Sequence, residues 1–391
     1  MHLVDIVLPV YNSVDLLKKC VNSLLLNTNH PSFRILIIDD GSDDVTKEYL
    51  LELSSNPLID LITNSHNVGY LHSVNKALML RKTTYKVLVN SDIIVPFNWL
   101  QRLINPSESD ETIGMVCPLS NFGSSLTIKM PQGLNFITMD KLIHSNSKRL
   151  YPNACTVIGF CILITQKLID SIGIFDPYYS PGYYEECDYQ YVAYKKGFKS
   201  VICDDLYIYH RGRGSFGGSR EVILQKNRAK FHKRWDHIYI PDANNYSQTN
   251  SLGYLRSRKD QSLIINYDHN YEIAVVITES ELQSNNGILA TINNLIINGT
   301  NITLLILTKV PVTEYLCFEP IIITETNIEE LKISTKKIIY SQVSSDIISK
   351  LANDYTEIVQ VSSIESLVTN RIQDLIIIDS TPSNIMNTHV F

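Results

Sequence analysis

No apolar run in the 391 residues approaches the roughly 20 needed to span a bilayer. The opening M-H-L-V-D-I-V-L-P-V has neither a basic n-region nor a small-residue cleavage site. The expectation is a cytoplasmic chain that neither enters nor crosses a membrane unaided, although a surface patch resting on the inner face of the cell membrane stays compatible. A basic surplus is missing as well: 34 Lys and Arg face 40 Asp and Glu, a formal charge of −6. That balance argues against a nucleic-acid partner and requires any polyanionic ligand to be met by local charge. The seven cysteines (20, 117, 155, 161, 187, 203 and 317) are odd in number and scattered, with no C-x-x-C pair and no zinc-type histidine spacing. This pattern fits a reducing compartment. There is no heptad run, short repeat or low-complexity tract. The first strand is not followed by G-x-G-x-x-G, which weighs against a dinucleotide oxidoreductase. Arg211-G-R-G-S-F-G-G lacks the P-loop pattern.

What is present is a soluble-type composition, 44% hydrophobic and 19% charged, in a chain long enough for two domains. Up to about Thr83, short aliphatic runs alternate with helical periodicity, the mark of βαβ units on a mostly parallel sheet. The pattern predicts strands over Val4–Val10, Ile35–Asp39, Leu58–Ile62 and Val87–Asn90, with helices over Val14–Leu26, Asp44–Leu53 and Val68–Leu80. The polar ends of those strands should lie along one sheet edge. Further on, a strand ends Val157-I-G-F-C-I-L-I, a helix starts at Glu185, and a strand covers Phe198–Ile202. Residues 1–235 read as one domain and the polar stretch 236–270 as a connection. Residues 271–391 repeat the alternation, with strands at Glu272–Thr278, Thr303–Leu307, Ile321–Ile323, Ile338–Tyr340, Ile358–Val361 and Leu375–Ile378, and a helix near Gly287–Ile297. The abundance of Ile and Asn reads as compositional bias with little functional content.

One strand end asks for explanation. In Val87-L-V-N-S-D-I-I-V an aliphatic run is broken by Asn90, Ser91 and Asp92. A carboxylate there caps a turn or, at the mouth of an open α/β sheet, holds a metal.

The ordered set Val7-L-P-V-Y-N, Ile37-I-D-D-G-S-D-D, Asn67-V-G-Y-L-H-S-V-N, Val87-L-V-N-S-D, Gly173-I-F-D-P, Tyr184-E-E-C-D and Tyr209-H resembles the family 2 glycosyltransferases of the GT-A fold, including their rhamnosyltransferase-like branch. The resemblance implies an α/β nucleotide-sugar-binding domain acting as an inverting transferase in bacterial surface polysaccharide synthesis. Its partners would be a nucleotide-sugar donor and a saccharide or lipid-linked saccharide acceptor. Pro9, Tyr11 and Asn12 end the first strand where backbone can approach a nucleoside. Asp39 or Asp40 can bond ribose hydroxyls or a pyrimidine N–H, or cap the next helix. Asn67 and Gly69 open a helix whose amino end can face the diphosphate, with Asn75 further along it. By resemblance Asp92 is the last carboxylate of a D-x-D motif and coordinates Mn²⁺ or Mg²⁺, with His210 as a further ligand. Asn90 stands where the motif has its first Asp, which lowers the charge and frees that amide for the sugar. Ser91 lies between them. Arg211 and Arg213, in a glycine-rich loop, are phosphate-binding candidates in a flap over the donor.

Glu185, Glu186 and Asp188 fall in a first helical turn, where acids also favour the helix dipole. The resemblance makes Glu186 the base that deprotonates the acceptor hydroxyl. Glu185 and Asp188, three apart on one face, are expected to hold acceptor hydroxyls or position the loop. Val192 replaces the arginine many members carry. With Asn90 it motivates a competing reading, a non-catalytic nucleotide-sugar-binding or scaffold protein of an assembly complex. Glu272-I-A-V-V-I-T and the residues after it resemble, more weakly, the N-terminal domain of a GT-B glycosyltransferase. Because the sequence stops at Phe391, the expectation there is part of a larger bifunctional enzyme or a docking module. Nothing in the sequence signals an oligomeric state.

Overall fold

A computed structural model of the chain describes residues 3–130, 133–212, 220–235 and 270–278, and beyond these the segments 280–281, 292, 295–297, 302–307, 321–323, 334–340, 343, 347–348, 351, 356–360 and 388–389. Two compact units divide it, Met1–Lys129 with Asp140–Ser257 and Met130–Met139 with Arg258–Phe391. The expected connection falls outside the described residues except for Asn270, as do the strand expected at Leu375–Ile378 and most of the helix expected near Gly287–Ile297.

In the first unit the elements run β1 (Val4–Val10), α1 (Val14–Asn27), β2 (Phe33–Asp39), α2 (Asp44–Leu53), β3 (Ile59–Thr63), α3 (Tyr70–Leu80), β4 (Tyr85–Val89), β5 (Ile93–Ile94) and α4 (Trp99–Ser109). Then come β6 (Ile113–Ser120), α5 (Phe136–Asn146, of which the part from Asp140 on belongs to this unit), β7 (Cys161–Thr165), α6 (Gln166–Ile172), α7 (Glu185–Lys195), β8 (Lys199–His210) and α8 (Arg220–Trp235). Eight strands make one sheet in the order β3-β2-β1-β4-β7-β6-β8-β5. Neighbours are parallel from β3 through β4 and between β6 and β8. They are antiparallel where β7 enters and where β5 meets β8. The α/β fold read from the alternation is borne out. Helix α1 shows why: Leu17, Cys20, Val21 and Leu24 recur at helical spacing and, with Ser23, are the residues it buries.

The sheet opens where its order reverses. β1 pairs with β2 over its whole length, but with β4 only from Val4↔Tyr85 to Val7↔Leu88. Past that point Pro9 has no N–H to offer, and β4 turns to the other side, Asn90 N–H donating to Phe160 O at 2.9 Å. The result is a crevice at the carboxyl ends of β1 and β4, the place where open α/β sheets bind ligands. The opposite end of the same pair is closed by charge: Asp5 and Lys86 are cross-strand partners, fully buried, with Nζ–Oδ2 at 2.9 Å. Burial holds the Lys86 ammonium below the usual lysine range.

Three elements depart from the sequence expectations. Helix α3 starts at Tyr70 rather than Val68, because Val68 and Gly69 give their N–H groups to Asp40 (2.9 Å each). β7 begins at Cys161, since the Val157 N–H is taken by Gln190 Oε1 at 3.0 Å. β8 runs on past Ile202 to His210 through Asp204 and Asp205, which the sequence presents as a polar stop. Both are buried; Asp204 accepts from the Leu150 and Tyr151 N–H groups and Asp205 from Arg149. The ladder slips there, from Pro118↔Cys203 to Leu119↔Tyr207.

The second unit is a six-stranded parallel sheet, β11-β10-β9-β12-β13-β14, of β9 (Asn270–Thr278), β10 (Ile302–Leu307), β11 (Ile321–Ile323), β12 (Ser334–Tyr340), β13 (Glu357–Gln360) and β14 (Thr388–His389). Ala274, Val276, Leu305 and Ile338 lie in its core.

Candidate active site

Asp92 and His210 are 118 positions apart in sequence, and the short β5–β8 ladder brings them together. Ile93 pairs with His210, and Arg211 N–H donates to Asp92 O at 3.1 Å. His210 Nε2 then lies 3.4 Å from Asp92 Oδ1. The ring is fixed on every side. Phe160 stacks on it with centroids 4.9 Å apart, Phe122 meets it edge-on, and the Asn121 amide bonds both His210 N and O (2.8 and 2.9 Å). His210 Nδ1 is 2.6 Å from the Phe122 carbonyl oxygen. A carbonyl only accepts, so Nδ1 carries the proton and a neutral ring turns its Nε2 lone pair toward Asp92. Asp92 Oδ1 is buried with no hydrogen-bond partner. Two electron-rich atoms facing one another are satisfied by a second ring proton or by a cation between them, and an N/O pair suits Mn²⁺ or Mg²⁺. No group of three or more metal-ligating side chains occurs among the described residues, so water or a ligand would complete the shell. The Cys20 thiol beside Asp92 is pushed up by burial and by that carboxylate, and stays protonated.

Around this pair the expected donor-side residues divide. Asp40 is committed internally: its two oxygens accept from Val68 N, Gly69 N and Asn64 Nδ2. It clamps the 64–69 loop and offers a ligand little. Asp39 Oδ1 accepts from Ser42 N at 2.9 Å, while its other oxygen has no hydrogen bond among the described residues. Asn12 closes the same turn, its N–H donating to Ser42 Oγ and its Oδ1 accepting from Asp43 N–H. Pro9 is half-buried beside the crevice, and Tyr11 and Asn67 are exposed. Asn75 does not face the crevice. Its amide makes a two-bond ring with the Phe175 backbone (2.8 and 3.0 Å) and is buried, because it fastens the Gly173-I-F-D-P segment to α3. At the amino end of α3, Gly69 N–H is given to Asp40 and Leu71 N–H to Pro181 O, so two of the donors expected to face a diphosphate are already engaged. Asn90 and Ser91 are half-buried at the β4–β5 turn, with no side-chain hydrogen bond among the described residues. Arg211 is half-buried next to His210; Arg213 and the rest of the expected flap lie outside the described residues.

The acids of α7 separate into a pair and a strut. Asp188 accepts from Tyr179 Oη (3.0 Å) and Trp235 Nε1 (2.7 Å) and is bridged by Arg234. It ties Tyr179 and α8 to α7, the positioning role of the two expected for it, rather than awaiting an acceptor hydroxyl. Glu185 and Glu186 each keep one buried oxygen, Oε2, without a partner. Burial, reinforced by the charge of Glu186, pushes Glu185 well above the usual carboxylate range. Burial also raises Glu186, but backbone amides at Gly159 and around the start of α7 draw it partway back. Two buried carboxyls this close share a proton, and the backbone N–H bonds at Gly159 and the start of α7 favour the ionised form of Glu186. Tyr70, whose phenol is pushed far up by burial and by both glutamates, completes the group.

One dipeptide joins the two clusters. A Cβ on Gly159 would lie 3.5 Å from Glu186 Oε1, and the next residue, Phe160, stacks on His210. The acid pair and the Asp92–His210 pair thus flank consecutive residues. Gly159, Phe160, Asn121, Phe122 and Tyr70 are absent from the sequence-based candidates. Only Gly159, a glycine interrupting a strand-like apolar run, carries a local signal.

Residues 5–173 match Glycosyl transferase family 2, so the chain carries a glycosyltransferase family 2 domain. It is 27% identical over 112 residues to an uncharacterized glycosyltransferase of Haemophilus influenzae, covering 28% of this chain and 34% of that protein. It is 31% identical over 104 residues to the UDP-Glc:alpha-D-GlcNAc-diphosphoundecaprenol beta-1,3-glucosyltransferase WfgD of Escherichia coli, covering 27% and 40%. The chain thus spans well under half the length of these relatives. Among solved structures, GalNAc-T7 with UDP, GalNAc and Mn²⁺ aligns at 17% identity and a TM-score of 0.47, over 60% of this chain and 48% of that one.

Proposed function

We propose that the first unit transfers a sugar from a nucleotide-sugar donor to a hydroxyl of a saccharide acceptor, with inversion, in the assembly of a bacterial surface polysaccharide. The observation that carries this reading is the adjacency of two unsatisfied pairs across Gly159-Phe160: Asp92 with His210, and Glu185 with Glu186. Asp39 and Asn12 at the β2 turn, with Asn90 and Ser91 opposite, would hold the nucleoside and sugar. A divalent cation on Asp92 and His210, Mn²⁺ or Mg²⁺, would supply positive charge to the donor diphosphate. Glu186 would take the proton of the acceptor hydroxyl as that oxygen bonds to the anomeric carbon; the carbon–oxygen bond to the diphosphate breaks on the opposite face, and its electron pair leaves with the nucleotide. Glu185, protonated, would donate a hydrogen bond to the acceptor.

A lipid-linked saccharide is an acceptor of the class in WfgD's name. The narrower likeness to rhamnosyltransferases rests on motifs alone, and the GT-B likeness of the second unit supports a docking role at most. A non-catalytic binding protein is the alternative that Asn90 and Val192 favour; the buried, partnerless oxygens of both glutamates weigh against it, since a binding protein gains nothing from keeping them unsatisfied. The test is thermal stability against a panel of sugar nucleotides with and without Mn²⁺. One donor should raise it in the presence of Mn²⁺, by about 2.7 kcal/mol at a hundred times its dissociation constant. Asp92→Ala should abolish the rise. A panel without any shift, or a shift indifferent to Asp92→Ala, refutes the assignment.

A further inference from the structure

Helix α8 buries Asn227, Phe231 and Trp235, four residues apart on one face. Asn227 Nδ2 donates to Tyr179 O and Gly182 O (2.6 and 2.7 Å), and Trp235 to Asp188, so the helix is fastened to the loop that leads into Glu185 and Glu186. Its opposite face, with Val222, Lys226, Ala229 and Lys233 at helical spacing, is exposed. Lys230 flanks that face and lies over the half-exposed Tyr178 ring at 4.6 Å. Lys195 and Lys196 are exposed at the end of α7, and Lys195 Nζ sits 5.6 Å from the Trp235 ring at the end of α8. Of the nearby acids, Asp176 is in a 2.7 Å pair with Arg234 and Asp188 in the buried strut, which leaves Glu221, bonded to Gln225 in the first turn of α8, as the exposed carboxylate on the helix. Positive charge is thus concentrated on one face of a chain whose formal charge is −6.

The geometry points to this α8 face as a docking surface for an anionic lipid bilayer. Three features favour a bilayer over a nucleic acid. On the exposed face itself the charges are the lysine point charges of Lys226 and Lys233, on flexible stems suited to headgroups, with Arg228 exposed at its flank. Beside them lie the exposed apolar Val222 on the same helix and Tyr178 under Lys230, the mixture of cationic and amphipathic side chains that settles at a membrane interface. The helix also spans about 24 Å, a surface rather than a groove. Partial burial, and after it the Lys226 charge, hold the Lys230 ammonium below the usual range. On the transferase reading above, on which this consequence rests, a headgroup-borne acceptor would arrive on the side of the acid pair, since α8 and α7 share the Tyr178–Tyr184 loop.

The full chain should co-sediment with vesicles of phosphatidylcholine and phosphatidylglycerol in equal parts, and not with phosphatidylcholine alone. Each lysine near such a surface strengthens partitioning about fivefold. Lys226→Glu with Lys233→Glu should therefore weaken it at least about 25-fold, Lys226→Gln with Lys233→Gln less, and Lys18→Glu with Lys141→Glu, the same change of net charge elsewhere, hardly at all. The donor-induced thermal shift should be the same in all of them, so failure of docking and failure of the transferase reading show separately. Undiminished binding by the α8 pair, equal loss in the control pair, equal binding to neutral vesicles, or binding of a short RNA without binding of anionic vesicles overturns the proposal.

Discussion

Glu186→Gln separates the chemistry of the site from its stability. Glutamine keeps the shape and the contact with the Gly159 backbone but cannot accept a proton, so transfer should fall by roughly 10²–10⁴, or about 2.7–5.4 kcal/mol of barrier. The structure adds a second, opposite effect. Glu186 is raised by burial, and its charge is the second cause, after burial, of the rise of Glu185. Removing that charge relieves a desolvation cost and a repulsion together, so the variant should melt at or above the wild-type temperature. Donor affinity should be untouched, because Asp39, Asp92 and His210 lie on the other side of Gly159-Phe160. The assay is single-turnover transfer at saturating donor, with calorimetric donor binding in Mn²⁺ and a thermal melt on the same preparation. A rate within threefold of wild type, or a loss of donor affinity as large as the loss of rate, would refute the assignment.

Glu185→Gln tests the proton on the pair. A carboxyl raised by folding is protonated in the folded chain and ionised in the unfolded one between the ordinary glutamate value near 4.5 and its own higher value, so wild-type stability falls as pH rises through that window. The variant should lack that fall and be the more stable at neutral pH, the gap closing toward pH 4.5; parallel curves in thermal melts across the range would place the proton elsewhere. Gly212→Ala tests the seat of His210. Gly212 has φ of +68°, and a Cβ there would run into the Phe122 ring whose carbonyl holds Nδ1. A loss of about 1–3 kcal/mol and a weakened Mn²⁺ response should appear together, and a normal Mn²⁺ titration would show that Phe122 does not set the ring.

The parallel half of the sheet was legible because its signal is local: β1 and α2 coincide with the expected limits, and β2, β3, α1 and β4 begin or end within a few residues of them. β8 was cut short because burial of Asp204 and Asp205 depends on Arg149 and on the 150–151 backbone, more than 50 positions away. The same remoteness hid Asn121, Phe122 and Phe160, which meet His210 from 50 to 89 positions away by direct hydrogen bonds and ring contacts. Asp39 and Asp40 look alike in sequence, and only the 64–69 loop distinguishes the committed carboxylate from the open one. Asparagine was undervalued most: Asn75, Asn121 and Asn227 each supply a missing backbone partner at a segment junction, so their number is structural content as well as composition.

The confinement of His210 has a thermodynamic consequence. A ring stacked on Phe160, bonded at Nδ1 and carried on a backbone pinned by Asn121 has almost no rotameric freedom left to lose, whereas binding groups that start free forfeit about 0.5–1.5 kcal/mol each when they are immobilised. The side chains of Asn90 and Ser91, half-buried just before Asp92 and without a hydrogen bond among the described residues, retain that freedom. A group that is rigid before any ligand arrives thus stands beside two that adjust to it, so differences among donors should register as differences in entropy at Asn90 and Ser91 and leave the geometry around His210 unchanged.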